Sequence, residues 1–203
     1  MKTYFYILFA LIILISAGCE DDGLYGTHRI TGEGVIKSET IEVDDFSAIQ
    51  LEHVANVFVE TGKQKKVEIV AYENIIPYMD AVVIGDQLII RFKQNITVNT
   101  DEEIRVIVTN PELDVIQLRG VGNFYLSGPV QNKIKLELDG VGNIEAFDLP
   151  VNEALVDING TGNVEVDAKE RLEVDIDGLG NVFYKGSPHI LVDINGLGEV
   201  IRK

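Results

Sequence analysis

The chain is predicted to be all-β, built as a β-solenoid with coils of about 18–20 residues and an irregular N-terminal half. The first observation behind this is a repeat. Gly-x-Gly-Asn or a one-residue variant of it stands at Gly120-Val121-Gly122-Asn123, Gly140-Val141-Gly142-Asn143, Gly160-Thr161-Gly162-Asn163, Gly178-Leu179-Gly180-Asn181 and Gly196-Leu197-Gly198-Glu199, at spacings of 20, 20, 18 and 18. A fixed period near twenty means that each copy is one unit that cannot bury its own apolar face, so neighbours stack into a continuous core. The second observation is parity. Leu136, Leu138, Gly140, Gly142, Ile144 and Ala146 alternate with Glu137, Asp139, Val141, Asn143 and Glu145, the period of a strand with one buried side. On this reading the glycines fall on the inward side of each coil, where stacked side chains would crowd.

From the start of the chain, Lys2, an apolar run from Tyr4 to Ile15 and Ser16-Ala17-Gly18-Cys19 read as a signal peptide over residues 1–18. The run is shorter than the ~20 apolar residues a membrane-spanning helix needs. Ending on cysteine, it has the form of a bacterial lipobox, with cleavage before Cys19 and acylation of its sulfur. Residues 19–27 then form a short polar tether, and residues 28–203 one domain, irregular over 28–114 and regular over 115–203.

Within that domain Thr40–Val43, Ile49–Glu60, Lys66–Ala71, Gln87–Phe92, Ile104–Val108 and Val115–Leu118 are rich in Ile and Val and bounded by Gly, Asn, Asp or Pro, as strands are. Glu73–Ala81 lacks the alternation, and Pro77 limits it to a connection or one helical turn. A decayed copy of the repeat lies upstream. Leu51 to Val59 matches Leu118 to Leu126 column by column, with His53 and Ala55 where the later copies have glycine.

Charge and composition narrow the function. The formal net charge is −16. Loss of residues 1–18 removes one basic side chain, Lys2, and leaves 16 basic against 33 acidic groups. Such a surface repels nucleic acid and anionic lipid headgroups. Cys19 is the only cysteine, so an exported form is held together by packing and hydrogen bonds without an internal disulfide. Glu199, Arg202 and Lys203 put charge on the last coil, where it is expected to block end-to-end growth.

Stacking at about 4.8 Å turns each repeat position into a ladder. Asn56, Asn123, Asn143, Asn163 and Asn181, closed by Glu199, read as a structural amide ladder. Glu137, Asp157, Asp175 and Asp193 form one acidic column and Asp139, Asn159, Asp177 and Asn195 its neighbour. Oxygen donors at short spacing suit Ca²⁺, which makes Asp157, Asp175, Asp177 and Asp193 a candidate calcium face. The other reading is a solvated acidic surface, favoured because the second nine residues of each coil carry no second Gly-Asp turn. No catalytic residue, cofactor or established metal site is expected. His28, His53 and His189 sit in no motif, and no protease, hydrolase or phosphate-loop spacing occurs. There is no Trp, but Tyr125 and Phe183 have outward parity and could offer a platform to a sugar.

The lipobox, Ile30-Thr31-Gly32-Glu33-Gly34, Phe46-Ser47-Ala48-Ile49-Gln50-Leu51, Glu73-Asn74-Ile75-Ile76-Pro77-Tyr78, Asn110-Pro111-Glu112-Leu113 and the Gly-x-Gly-Asn repeats together resemble the auto-transporter adhesin, head GIN domain family. The resemblance covers about Ile30 to Lys203. It implies a right-handed β-helix on a secreted or lipid-anchored protein of the kind frequent in Bacteroidetes. The acidic residues after Cys19 resemble surface-export signals of such lipoproteins, which favours the outer membrane and its outer face. The expected function is a non-catalytic adhesion or binding module, tied to the membrane by lipid on Cys19 and presenting its outward columns to a glycan or protein ligand. The alternatives are a periplasmic scaffold or signalling partner, and a β-helix enzyme acting on polysaccharide.

Overall fold

The computed structural model describes residues 28–203. The signal peptide, Cys19 and the tether lie outside the described residues. The strands are, in order, β1 (His28–Thr31), β2 (Ile36–Ile41), β3 (Ala48–Leu51), β4 (Asn56–Thr61), β5 (Lys66–Tyr72), β6 (Met79–Ile84), β7 (Gln87–Phe92), β8 (Ile96–Asn99) and β9 (Arg105–Asn110). They continue with β10 (Val115–Leu118), β11 (Val121–Ser127), β12 (Gln131–Leu138), β13 (Val141–Ile158), β14 (Val164–Ile176), β15 (Val182–Lys185), β16 (His189–Ile194) and β17 (Val200–Arg202). A single 3₁₀ turn, Ile76–Tyr78, interrupts them among the described residues, with Pro77 in its first turn. The fold is all-β.

Two parallel ladders organise it. In the first, β7, β3, β10, β12, the second part of β13, the second part of β14 and β16 lie side by side. In the second, β9, β4, β11, the first parts of β13 and β14, β15 and β17 do the same. Each layer of the stack therefore holds one strand of each ladder, joined in the regular layers by the Gly-x-Gly corner. Residues pair at offsets of 20 (Val121 with Val141, Leu138 with Ile158) and then 18 (Ile158 with Ile176, Val164 with Val182). The change of period occurs in one place. Register between β13 and β14 shifts between Ala146 and Glu153, where the earlier layer carries two more residues in its return.

Why these residues form a stack is visible in the inward columns. Ile90, Leu51, Leu118, Leu138, Ile158 and Ile176 follow one another across the layers, each 0–1% exposed. Branched aliphatic side chains suit such a column, because they fill the pleated inner surface with few rotamers to lose. Among the described residues one continuous core runs from Ile30 to Val182.

The irregular half differs from the sequence expectation. The decayed copy does stack in the expected register, with Leu51 on Leu118 and Val57 on Phe124. However, the predicted strand Ile49–Glu60 is two strands, because Glu52–Ala55 forms the corner between the ladders. The layer made of β7 and β9 lies on the far side of the layer made of β3 and β4, so spatial order departs from chain order. Beyond it the strands turn antiparallel. β6 pairs with β7, β5 with β9 and β2 with β5. These close the N-terminal end of the stack, and β2, with Lys37 and Glu39 exposed, forms a charged outer edge, the usual protection of a free strand. β1 and β8 form a separate parallel pair.

Candidate binding face

At each corner the backbone of one layer lies directly on that of the layer before. A Cβ built on Gly142 would stand 1.6 Å from the carbonyl oxygen of Gly122, and one on Gly162 would stand 1.6 Å from that of Gly142. Gly120, Gly140, Gly160, Gly178, Gly180, Gly196 and Gly198 meet a preceding-layer carbonyl in the same way. What excludes a side chain is thus stacked backbone at the bend, in place of the expected crowding by side chains inside the coil.

The asparagines hold these corners together. The backbone N–H of Asn123 donates to Oδ1 of Asn56 (2.7 Å), and those of Asn143, Asn163, Asn181 and Glu199 donate to the preceding asparagine at 2.9–3.0 Å. Side-chain Nδ2 groups follow the same route, from Asn143 to Asn123 at 3.1 Å and from Asn181 to Asn163 at 3.2 Å. Glu103 accepts from Nδ2 of Asn56 at the other end. Donors and acceptors of the column are consumed internally, which leaves it little capacity for a ligand.

The acidic columns lie on the outer face of the first ladder, Glu137, Asp157, Asp175 and Asp193 in register. Lys135 bridges Glu137 and Asp157, reaching Asp157 at 2.8 Å, and hydrogen bonding to Asp157 and Glu137 raises its pKa. In the neighbouring column Asn159 donates to Asp139 at 3.0 Å and Asn195 to Asp177 at 3.1 Å. Desolvation, then the charges of Asp177, Asp193 and Asp157, push the Asp175 carboxyl up. Among the described residues no three carboxylates or imidazoles converge to hold a metal ion, so Asp157, Asp175, Asp177 and Asp193 stand as a row rather than a cage.

The outer face of the second ladder is built differently. Ile107, Phe58, Tyr125, Glu145, Glu165, Phe183 and Ile201 stand in one row across seven layers. Phe58 and Tyr125 stack, with ring centroids 4.8 Å apart and planes 15° from parallel. Phe147, from the longer return of β13, lies beside the row with the Lys185 ammonium 4.0 Å from its ring centroid. Together with Glu145 and Glu165 these groups line a trough of about 490 Å³. Desolvation, and then the charge of Glu165, raises the pKa of Glu145. Burial first, then Glu145 and Glu103, raises that of Tyr125.

The sequence singled out Tyr125 and Phe183 from this face and missed Phe58, Phe147, Glu145, Glu165 and Lys185. The signal for five of the row was present, since Phe58, Tyr125, Glu145, Glu165 and Phe183 each stand two residues after a ladder asparagine. The histidines fall apart in the structure. His53 packs edge-on against Phe92, with centroids 5.9 Å apart, His28 lies in β1 and His189 in β16.

The site thus consists of an all-β stack with internally satisfied corners and one aromatic, carboxylate-lined outer face. The chain belongs to the family described as "Putative auto-transporter adhesin, head GIN domain", whose model matches residues 45–133 and again 116–188. No curated protein matches the sequence. Among solved structures, a putative adhesin from Bacteroides fragilis is similar with a TM-score of 0.56 at 20% identity, over 86% of this chain and 100% of that one. One from Parabacteroides distasonis gives 0.41 at 20% over 87% and 100%, and one from Parabacteroides merdae 0.40 at 18% over 86% and 99%. At that identity the first likeness is one of fold alone.

Proposed function

We propose that this is a lipid-anchored protein of the bacterial cell envelope whose layers wind as a right-handed β-solenoid and whose second ladder binds a neutral glycan without cleaving it. Parallel pairing at offsets of 18 and 20 supports the winding. The lipobox ending at Cys19 supports the anchor, with residues 1–18 removed and 19–27 as tether, and the adhesin family supports a place at the outer membrane and its surface.

The observation that carries the ligand class is the trough, in which the stacked pair Phe58 and Tyr125 adjoins Glu145 and Glu165. Aromatic faces take the apolar C–H side of a sugar ring, and carboxylates accept its hydroxyls in strong, charge-assisted hydrogen bonds. A trough lined by four carboxylates, Glu60, Glu145, Asp148 and Glu165, on a chain this acidic turns away uronic and sulfated polymers.

The test is retention of neutral polysaccharides by residues 28–203, with Tyr125→Ala and Glu145→Gln alongside. Binding that weakens about tenfold or more in Tyr125→Ala, equivalent to about 1.4 kcal/mol, is the expected result. Shortening of the polymer would show a hydrolase using Glu145 and Glu165, which stand side by side in adjacent layers. No retention at all would favour a periplasmic scaffold, which protease accessibility on intact cells distinguishes from a surface protein.

A further inference from the structure

The two ends of the stack are finished unequally. At the N-terminal end β6, β5 and β2 lie antiparallel over the last parallel strands. At the other end β16 pairs only with β14 and β17 only with β15. One edge of each is open among the described residues, and so is the core beneath. Val192 continues the column of Leu136, Val156 and Val174, and Ile194 that of Leu138, Ile158 and Ile176; the two are 48% and 39% exposed, while their counterparts are 0–2%.

The charges expected to block this end fold away from it. Arg202 donates to Oγ of Ser187 at 2.8 Å, and the Lys203 ammonium lies 4.3 Å from the Phe183 ring centroid. Both reach back toward the preceding layer, and neither covers β16. An open strand edge with apolar residues on its inner side is a template for another strand.

We propose that the open edge of β16 is closed by β16 of a second copy of this chain, running antiparallel, to give a two-fold end-to-end dimer. The sequence His189-Ile190-Leu191-Val192-Asp193 is self-complementary in one register. A two-fold axis at Leu191 sets His189 opposite Asp193 of the second copy, twice, and Ile190 opposite Val192, twice. Directly opposed residues of an antiparallel pair share a face, so Ile190 and Val192 stay inward and the core becomes continuous across the seam. A slip by one residue would turn the inner set outward, and a slip by two sets Asp193 against Leu191 or Ser187.

Charge favours this over further parallel stacking. Parallel in-register pairing with β16 of the second copy would set Asp193 beside Asp193 and extend the column Asp157, Asp175, Asp193, whereas the antiparallel seam ends the column on an imidazole donor. A two-fold interface of this kind closes on itself, and at the N-terminal end the edge strand β2 carries exposed Lys37 and Glu39, which oppose growth there.

Residues 28–203 are suited to the test, since they hold one continuous core cluster and a crystallised protein of similar fold is matched over its full length by 86% of this chain. Sedimentation and light scattering over rising concentration are expected to show twice the monomer mass and nothing larger. Val192→Lys should leave monomer only. His189→Asp should weaken association at least tenfold by opposing two carboxylates twice, and the exchange His189→Asp with Asp193→His should restore it. Circular-dichroism melts of each variant establish that it is folded. A monomer at every concentration, a dimer indifferent to both single substitutions, or growth into filaments would each overturn the proposal.

Discussion

At the corner of every regular layer stand two glycines, and at the equivalent corner of the first layer stand His53 and Ala55. The neighbours explain the difference. Gly122 lies on the carbonyl of Ala55, Gly142 on that of Gly122 and Gly162 on that of Gly142, so each has stacked backbone where a Cβ would go. Ala55 has no such corner before it. After β7 the chain departs to β8, which pairs with β1, and the space this frees is where the His53 ring meets Phe92. Glycine is thus a property of having a layer underneath, and its loss marks the layer where regular stacking begins.

The sharpest way to break that comparison is to change the corner residue on both sides of it. Gly162→Val must displace the Gly142 carbonyl and hold a branched residue at φ +148°; a loss of about 3 kcal/mol or more is expected by urea melting. Ala55→Gly should cost only about 0.5–1 kcal/mol, from added freedom in the unfolded chain. Equal losses at the two positions would show that the layers are not in backbone contact as described.

Next in size is a contrast between a column's middle and its open end. Leu138→Ala removes a fully buried side chain and should cost about 2–5 kcal/mol, whereas Ile194→Ala in the same column, 39% exposed, should cost less than about 1 kcal/mol in the monomer. Measured under dimerising conditions, Ile194→Ala should cost more, because the seam covers that residue.

The asparagine column gives a smaller effect. Asn163 accepts from the backbone N–H and Nδ2 of Asn181 and donates its own N–H to Asn143. Asn163→Ala strands a half-buried backbone donor and should lose about 1–3 kcal/mol. Asn56→Ala, which strands the Asn123 backbone N–H in the same way, should lose a comparable amount.

Much of this was legible in the chain and some was not, for physical reasons. The period, the parity and the register of Leu51–Val59 on Leu118–Leu126 are written in side chains that must point into one core. The order in which layers stack is not, because β7 could satisfy its inward Leu88 and Ile90 against any exposed layer, and the path through β5 and β6 decides which. β6, β8 and β1 went unread for a related reason. They are short edge or side elements whose patterns are only half buried. The trough row was readable from its fixed distance after the ladder asparagines, but Phe147 was not, since it projects from the return segment where the layer has two residues more than its successor. The charges on the last layer misled, because long cationic side chains reach whichever aromatic or hydroxyl lies near.

The smallest effect separates the two halves through one proton. In the trough row the irregular half contributes Phe58, which does not titrate, while the regular half contributes Glu145, whose pKa burial and then Glu165 raise. A carboxyl raised on folding binds more protons in the native than in the unfolded chain between its two pKa values, so stability falls as pH rises through that window. The melting temperature should therefore gain a small increment as pH drops from neutrality toward the ordinary carboxyl range near 4.5, and no more from this group below it. Other carboxyls act in the opposite sense, as Asp45 does, lowered by its hydrogen bond and charge pairing with Lys65, so the quantity to measure is the difference between wild type and Glu145→Gln. That difference should be largest at neutral pH, with the variant the more stable, and should close on acidification. Phe58→Leu should shift the melt by a constant amount at every pH. A difference for Glu145→Gln that is equally flat would mean that Glu145 is solvated, and that the floor of the trough is wetter than its lining implies.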